Sequence, residues 1–253
     1  MLAQGVVFHR WPRGSLRDLA RPSGLRLPRA AAGGPVLAQH PAAGTYAQVA
    51  GLFSHGRLVA VHTSEQAGLG AGGSAAARVS VNHPQPRTDI EQLGKHLGWH
   101  GGLTLDYLHR NGTPQYIEAN ARTVEPGNAA ASGVNLPALT IAISRGDPLP
   151  DTPLVGRPGV RTHSSLALML GAAEGSGSRA PALRALMAGL GRVGELRDSR
   201  EVLTPVPADP LSLIPVVVVA SQLLLQPGRA QALATGAVRD YAVPPAAVDI
   251  VRA

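Results

Sequence analysis

The stretch Leu103-Thr-Leu-Asp-Tyr-Leu-His-Arg-Asn-Gly-Thr-Pro-Gln-Tyr-Ile-Glu-Ala-Asn120 decides the reading of this chain. Two alternating runs flank Asn111-Gly112, a strong short-range signal for a β-hairpin. Alternation puts Glu118 and Asn120 on one face of the second strand, and Arg122 continues that face if the strand persists. A carboxylate, an amide and a guanidinium in one row are costly against an apolar core, so that face is either solvated or holds a charged ligand. Asp106, on the first strand, joins the row only for certain turn geometries. A two-residue turn sets Ile117 opposite Asp106, whereas a five-residue loop from Arg110 to Pro114, or an equivalent bulge, sets Glu118 there. Pro114 has no amide hydrogen for a tight ladder, which favours the wider loop. In that register Asp106, Glu118 and Asn120 converge as hard oxygen ligands, suited to Mg²⁺ and its phosphates rather than to zinc. Arg122 then offers a permanently charged, planar donor for a phosphate or carboxylate oxygen.

Upstream of the hairpin, Pro35–Gln39, Thr45–Phe53 and Arg57–His62 read as strands, with a turn at Ser54-His55-Gly56. A glycine-rich stretch, Ala67–Ser74, leads into Ala75–Val81, and Asp89–Leu97 has helical spacing with Ile90, Leu93 and Leu97 on one face. Downstream, Asn135–Ser144 reads as a helix closed by Gly146, with Pro148 and Pro150 marking a boundary. Residues 151–253 are expected to be mainly helical, with segments near 163–173, 180–190, 211–225 and 229–235. The 34 residues before Pro35 hold too few apolar positions to fold alone. Three regions follow: 1–34 as a remnant or linker, 35–150 as the metal-binding lobe, and 151–253 as a helical accessory region.

Composition narrows the partners. The chain has 253 residues, net charge +7 and no cysteine, which excludes disulfides, thiolate nucleophiles and zinc ribbons. Lys95 is the only lysine, and the Ala-, Gly-, Pro- and Arg-rich background reflects GC-rich coding; no arginine run with interleaved aromatics points to nucleic acid. The longest apolar stretch, Leu211–Leu225, falls short of the roughly 20 residues that cross a bilayer, so a soluble, cytoplasmic protein is expected without nucleic-acid or membrane partners. His55, His62, His83, His96, His100, His109 and His163 are read as surface or local hydrogen-bonding groups. Gly68-x-Gly70-x-Gly72-Gly73 is read as a flexible loop, since no helix opens after a strand there as a dinucleotide fingerprint requires.

The hairpin and its continuation to Asn135 resemble the end of an ATP-grasp domain. There an acidic residue on one strand is followed about twelve positions later by Glu-x-Asn-x-Arg, here Asp106, Glu118, Asn120 and Arg122. Asn128-Ala-Ala-Ala-Ser-Gly133-Val-Asn-Leu is similar to the family's small-residue helix and Gly-Val-Asn turn. Val36-Leu-Ala-Gln39-His40, followed by Gly44, looks like the hinge strand whose backbone binds adenine, and Gly72-Gly73-Ser74 with Arg78 looks like the segment entering the metal-binding core. The resemblance implies an α+β fold: the C-terminal lobe of an ATP-grasp domain, an antiparallel sheet with helices, followed by the helical region. It implies ATP with Mg²⁺ (or Mn²⁺) on Asp106, Glu118 and Asn120, and nucleotide contacts from Gln39, His40, Arg78 and Asn128. Arg122 would be the catalytic group, in a ligase that activates a small-molecule carboxylate as an acyl-phosphate for attack by an amine.

The chain departs from the family in two respects. Some relatives use a glutamate base one position beyond Glu125, where this chain has Pro126, so Glu125 receives no base role. The family also has an upstream lobe with a glycine-rich loop and usually two lysines, for which the residues before Pro35 leave no room. An incomplete ligase is therefore expected, completed by a separate chain if at all, with apolar surface exposed where that lobe packs. The alternative is a non-catalytic interaction module or a degenerate fragment that retains the fold.

Overall fold

The computed structural model describes residues 9–10, 37–38, 42–110, 113–230 and 232–234. Residues 1–44 and 45–253 form two compact units. In the first, β1 (His9–Arg10) pairs antiparallel with β2 (Leu37–Ala38), the part of the expected 35–39 strand that the structure describes.

The second unit opens with β3 (Thr45–Ser54) and β4 (Arg57–Leu69). His55 and Gly56 turn between them with φ of 48° and 83°, the left-handed pair that a two-residue hairpin requires. β4 runs well past His62, with register shifts around Gly68. Then follow β5 (Ala75–Ser80), α1 (Pro84–His96), β6 (Gly101–Arg110) and β7 (Thr113–Asn120). α1 starts earlier than its apolar spacing suggests because prolines suit a first helical turn, where no amide hydrogen is needed. Short α2 (Gly127–Ala131) and α3 (Leu136–Arg145) come next. Asn135 caps α3 by accepting a 3.1 Å hydrogen bond from the Ala138 amide, and left-handed Gly146 closes it. β8 (Leu154–Val155), β9 (Arg161–His163), α4 (Ser165–Ser176), α5 (Arg179–Gly191), β10 (Ser199–Glu201) and α6 (Leu213–Leu225) follow.

The strands of the second unit form one eight-stranded sheet in the order β10-β9-β5-β4-β3-β6-β7, with β8 also pairing β4. The fold is α+β, but the sheet is mixed rather than wholly antiparallel: β9 with β10, and β4 with β8, run parallel. Residue 150 marks no break in the sheet, since β8, β9 and β10 all come from beyond it. Their backbone donors and acceptors complete the β4 and β5 ladders.

One sheet face packs Val49, Phe53, Val61, Leu103, Leu105 and Tyr107 against Ile90 of α1. The other buries Ala50, Leu52 and Ala60 under Ala129, Val134 and Leu136 of α2 and α3. The expected C-terminal helices form, and α4, α5 and α6 build an apolar cluster of their own around Met169, Leu186, Val216 and Leu223. α6 is apolar all round, so Ile214, Val217 and Leu225 stay exposed once its inner face is buried. Among the described residues no helix is long and apolar enough to cross a membrane.

Candidate functional site

A polar row crosses the face that α2 and α3 partly cover. Ser64 pairs with Gln48, Gln48 with Asp106, and Asp106 with Glu118, so four adjacent strands present these side chains in register. The pairing of Asp106 with Glu118 does not come from a wide loop. Arg110 pairs with Thr113 and His109 with Pro114, so the hairpin closes tightly; the register shifts instead between Asp106 and Tyr107, where Ile117 is an extra residue on β7. The bulge turns Tyr116 to the α1 face, where its hydroxyl donates to Asp89 Oδ2 at 2.6 Å, while Glu118 and Asn120 keep to the polar face.

Asp106 is 5% exposed and Gln48 2%. Asp106 Oδ2 accepts a 3.3 Å hydrogen bond from Asn120 Nδ2, and Gln48 Nε2 donates to the Val124 carbonyl at 3.2 Å. Asp106 Oδ1 and Gln48 Oε1, both fully buried, accept no hydrogen bond from any described residue. Burial raises the Asp106 carboxyl above its ordinary range; Glu118 pushes the same way, and Tyr46 and Arg78 oppose it. Burial and the Asp106 charge raise the Tyr46 phenol to about 12. Two buried acceptors without a well-formed hydrogen bond, Asp106 eased only by the nearby Tyr46 hydroxyl, are a costly arrangement that a cation or a donor-bearing ligand relieves. This all-oxygen neighbourhood fits a hard divalent cation, with the Asn120 amide turned to present Oδ1.

The segment after β7 folds back across this face. Thr104 Oγ1 donates to the Arg122 carbonyl at 2.9 Å, Gln48 holds the Val124 carbonyl, and Arg78 reaches Glu125. These anchors lie on β6, β3 and β5 in turn, so the loop is laid across the strands. Arg78 is buried, with Nη2 and Nε at 2.6 and 2.7 Å from Glu125 Oε2 and the guanidinium 5.7 Å from the Tyr46 ring centre. Glu125 meets it from a left-handed backbone, φ 44°. Arg78 is therefore neutralised by a residue to which the sequence reading gave no role. β7 stops at Asn120, so Arg122 does not continue the alternation; it is exposed, with no ion pair among the described residues.

Asn128 is wholly engaged inside the fold. Its Nδ2 donates to the Val160 carbonyl at 3.1 Å and to Thr162 Oγ1 at 2.9 Å, and its Oδ1 lies 2.8 Å from His62 Nε2. Ser132 Oγ lies 3.1 Å from His62 Nδ1. Since Asn128 Oδ1 can only accept, His62 carries its proton on Nε2, and Nδ1 shares the single Ser132 hydroxyl proton with the Ala129 carbonyl, 2.8 Å from Ser132 Oγ. Burial holds the ring neutral by lowering its pKa to about 4. Asn128 thus locks α2 to β4 and β9. Gln39 and His40 lie outside the described residues. A cavity of about 490 Å³ adjoins the loop, lined by Arg78, Glu125, Asn128, Thr162, Ala167 and Leu203.

The polar face thus brings together Asp106, Glu118 and Asn120, adds Gln48, Tyr46 and Glu125, and leaves Arg122 at its rim. Gln48 was detectable as the one amide in an otherwise apolar strand, Tyr46–Phe53; Glu125 carried no local signal. Of the histidines read as surface or local hydrogen-bonding groups, His62 and His163 are hydrogen-bonded to residues far along the chain. His62 and His163 are 3% and 1% exposed, and His83 and His109 stack at 3.9 Å. His96 and His100, four apart, do not share a helix because α1 ends at His96; His100 lies instead 4.3 Å from the His55 ring.

No protein-family model and no curated protein sequence matches the chain. Among solved structures, it is similar to the biotin carboxylase subunit of a pyruvate carboxylase, with 16% identity, a TM-score of 0.35, and coverage of 42% of this chain and 26% of that one. It is also similar to the biotin carboxylase domain of a thermophilic 2-oxoglutarate carboxylase bound to bicarbonate, with 13% identity, a TM-score of 0.44, and coverage of 60% of this chain and 38% of that one.

Proposed function

We propose that the chain carries the metal- and phosphate-handling lobe of an ATP-dependent ligase of the ATP-grasp type, which activates a small-molecule carboxylate as an acyl-phosphate for attack by an amine. The observation that carries this reading is the pair of buried acceptors, Asp106 Oδ1 and Gln48 Oε1, in register beside Glu118 on the strand that ends in Glu-x-Asn-x-Arg. Mg²⁺ or Mn²⁺ held by Asp106, Glu118 and Asn120 would supply charge neutralisation for phosphate oxygens.

The chain's own residues do the rest by position and electrostatics. Asp106 and Glu118 concentrate negative charge at one edge of the row, and the raised carboxyl of Asp106 is the cost of keeping it there. Arg78 is committed to Glu125, so the positive charge open to an anionic substrate is the exposed Arg122 guanidinium. The Arg78–Glu125 pair and the Gln48–Val124 bond hold the loop that carries Arg122 across the strands. The adjoining cavity has the volume of a small organic substrate.

Isothermal titration of Mg·ATP into the purified chain and into an Asp106→Ala, Glu118→Ala double variant tests this. The expected result is saturable, Mg²⁺-dependent binding in the parent and none in a folded double variant. Absence of binding to the parent, or equal binding to both, would overturn the reading.

A further inference from the structure

On the opposite face of the sheet from the polar row, three ligand-type side chains converge from separate elements. Glu65 comes from β4, His109 from β6, and His83 from the residue preceding α1. One candidate ligand atom from each lies within 4.8 Å of the other two. His83 Nε2 stands 3.3 Å from Glu65 Oε1, and the His83 and His109 rings stack with centroids 3.9 Å apart. We propose that Glu65, His83 and His109 form a binding site for one divalent transition metal ion, Zn²⁺ by its donor chemistry.

One pair already has the spacing that tetrahedral coordination needs, and the stacked His83 and His109 rings must open to turn both lone pairs toward one ion. With bonds of about 2.0–2.1 Å, two ligand atoms on one Zn²⁺ sit about 3.3–3.4 Å apart. The His83–Glu65 separation already has that value, and no pair needs a closure of more than about 1.4 Å, within reach of a side-chain rotation. Two imidazoles and one carboxylate select Zn²⁺ over Mg²⁺ or Ca²⁺, and three protein ligands leave a fourth position for solvent or a substrate atom.

A second shell is already built. The hydroxyl of fully buried Tyr107 lies 2.8 Å from His83 Nδ1, where it would accept the Nδ1 proton once Nε2 ligates a metal. The three ligands are half-buried, so the site is reachable from solvent. Occupation would staple the start of α1 to two strands of the sheet. Because the site shares no residue with the Asp106 row, it stands or falls independently of the proposed ligase function.

The test is a titration of untagged protein with Zn²⁺ by calorimetry and with Co²⁺ by visible absorption. One equivalent is expected to bind, undiminished by millimolar Mg²⁺ or by the Asp106→Ala, Glu118→Ala change. His109→Gln and Glu65→Gln should each weaken binding tenfold or more. His100→Gln, which alters the other histidine stack, should leave it unchanged. Wild type should also melt at a higher temperature with Zn²⁺, and Glu65→Gln, the variant least disturbing to the fold, should lose most of that shift. Failure of the wild type to bind a saturating equivalent would overturn the proposal, as would binding that survives both ligand substitutions or falls equally in His100→Gln.

Discussion

Protonation of His62 should set the acid limb of this protein's stability. The ring is 3% exposed, and its two nitrogens are taken by Asn128 and Ser132, which tie β4 to α2 beneath the loop that crosses the polar face. Burial lowers its pKa from 6.5 to about 4. The folded value lies below the unfolded one, so the stabilisation is fully present above pH 6.5 and is lost as pH falls toward 4. A shift of that size corresponds to about 3 kcal/mol in full, of which about 2 kcal/mol is lost by pH 5. Asp106 acts with the opposite sign. Its raised carboxyl favours the folded state when protonated, and that contribution is lost as pH rises through the folded pKa. It is common to wild type and a His62→Gln variant and cancels in their difference. Urea unfolding of both proteins at pH 7.5 and pH 5.0, followed by circular dichroism, isolates the effect. Wild type should lose about 2 kcal/mol more than His62→Gln between the two conditions. Equal losses, or a His62 ring resonance that titrates near its ordinary value in the folded protein, would refute the reasoning.

Three further substitutions probe the site, its support and an open control position. Asp106→Asn removes a buried charge, so it should melt above wild type at pH 7.5, with the advantage shrinking as acid protonates the wild-type carboxyl; calorimetric scans at several pH values check this. The same variant should lose at least tenfold in Mg²⁺-dependent nucleotide affinity, a stability gain set against function. Gly156→Ala should cost about 1–3 kcal/mol in urea unfolding, because a Cβ there runs into His62 Nδ1 and comes within 2.8 Å of Ser132 Oγ. Gly175→Ala in α4, which meets nothing within 4 Å, should be neutral or stabilising by up to about 1 kcal/mol.

Local pattern carried much of this fold. Alternation around Asn111-Gly112 reads directly as β6 and β7, Asn135 and Gly146 bracket α3 by their capping chemistry, and the apolar runs beyond Gly146 become α4, α5 and α6. Glu118 and Asn120 belong to one face because a strand's period is two. Which residue Asp106 meets was a different matter. Pro114 argued for a wide loop, yet the turn is tight and an extra residue, Ile117, slips the register by one. Alternation along one strand says nothing of a bulge, which is a property of the pair. The pairing of Arg78 with Glu125 over 47 residues, and the convergence of Glu65, His83 and His109 from three elements, likewise have no local signature. By itself the sequence determined which side chains share a strand face or a helix stripe, since those follow from backbone period. Only the tertiary structure decided which faces meet, which charges neutralise each other and which buried oxygens are left without a donor, because those depend on strand register and chain crossings far apart in the chain.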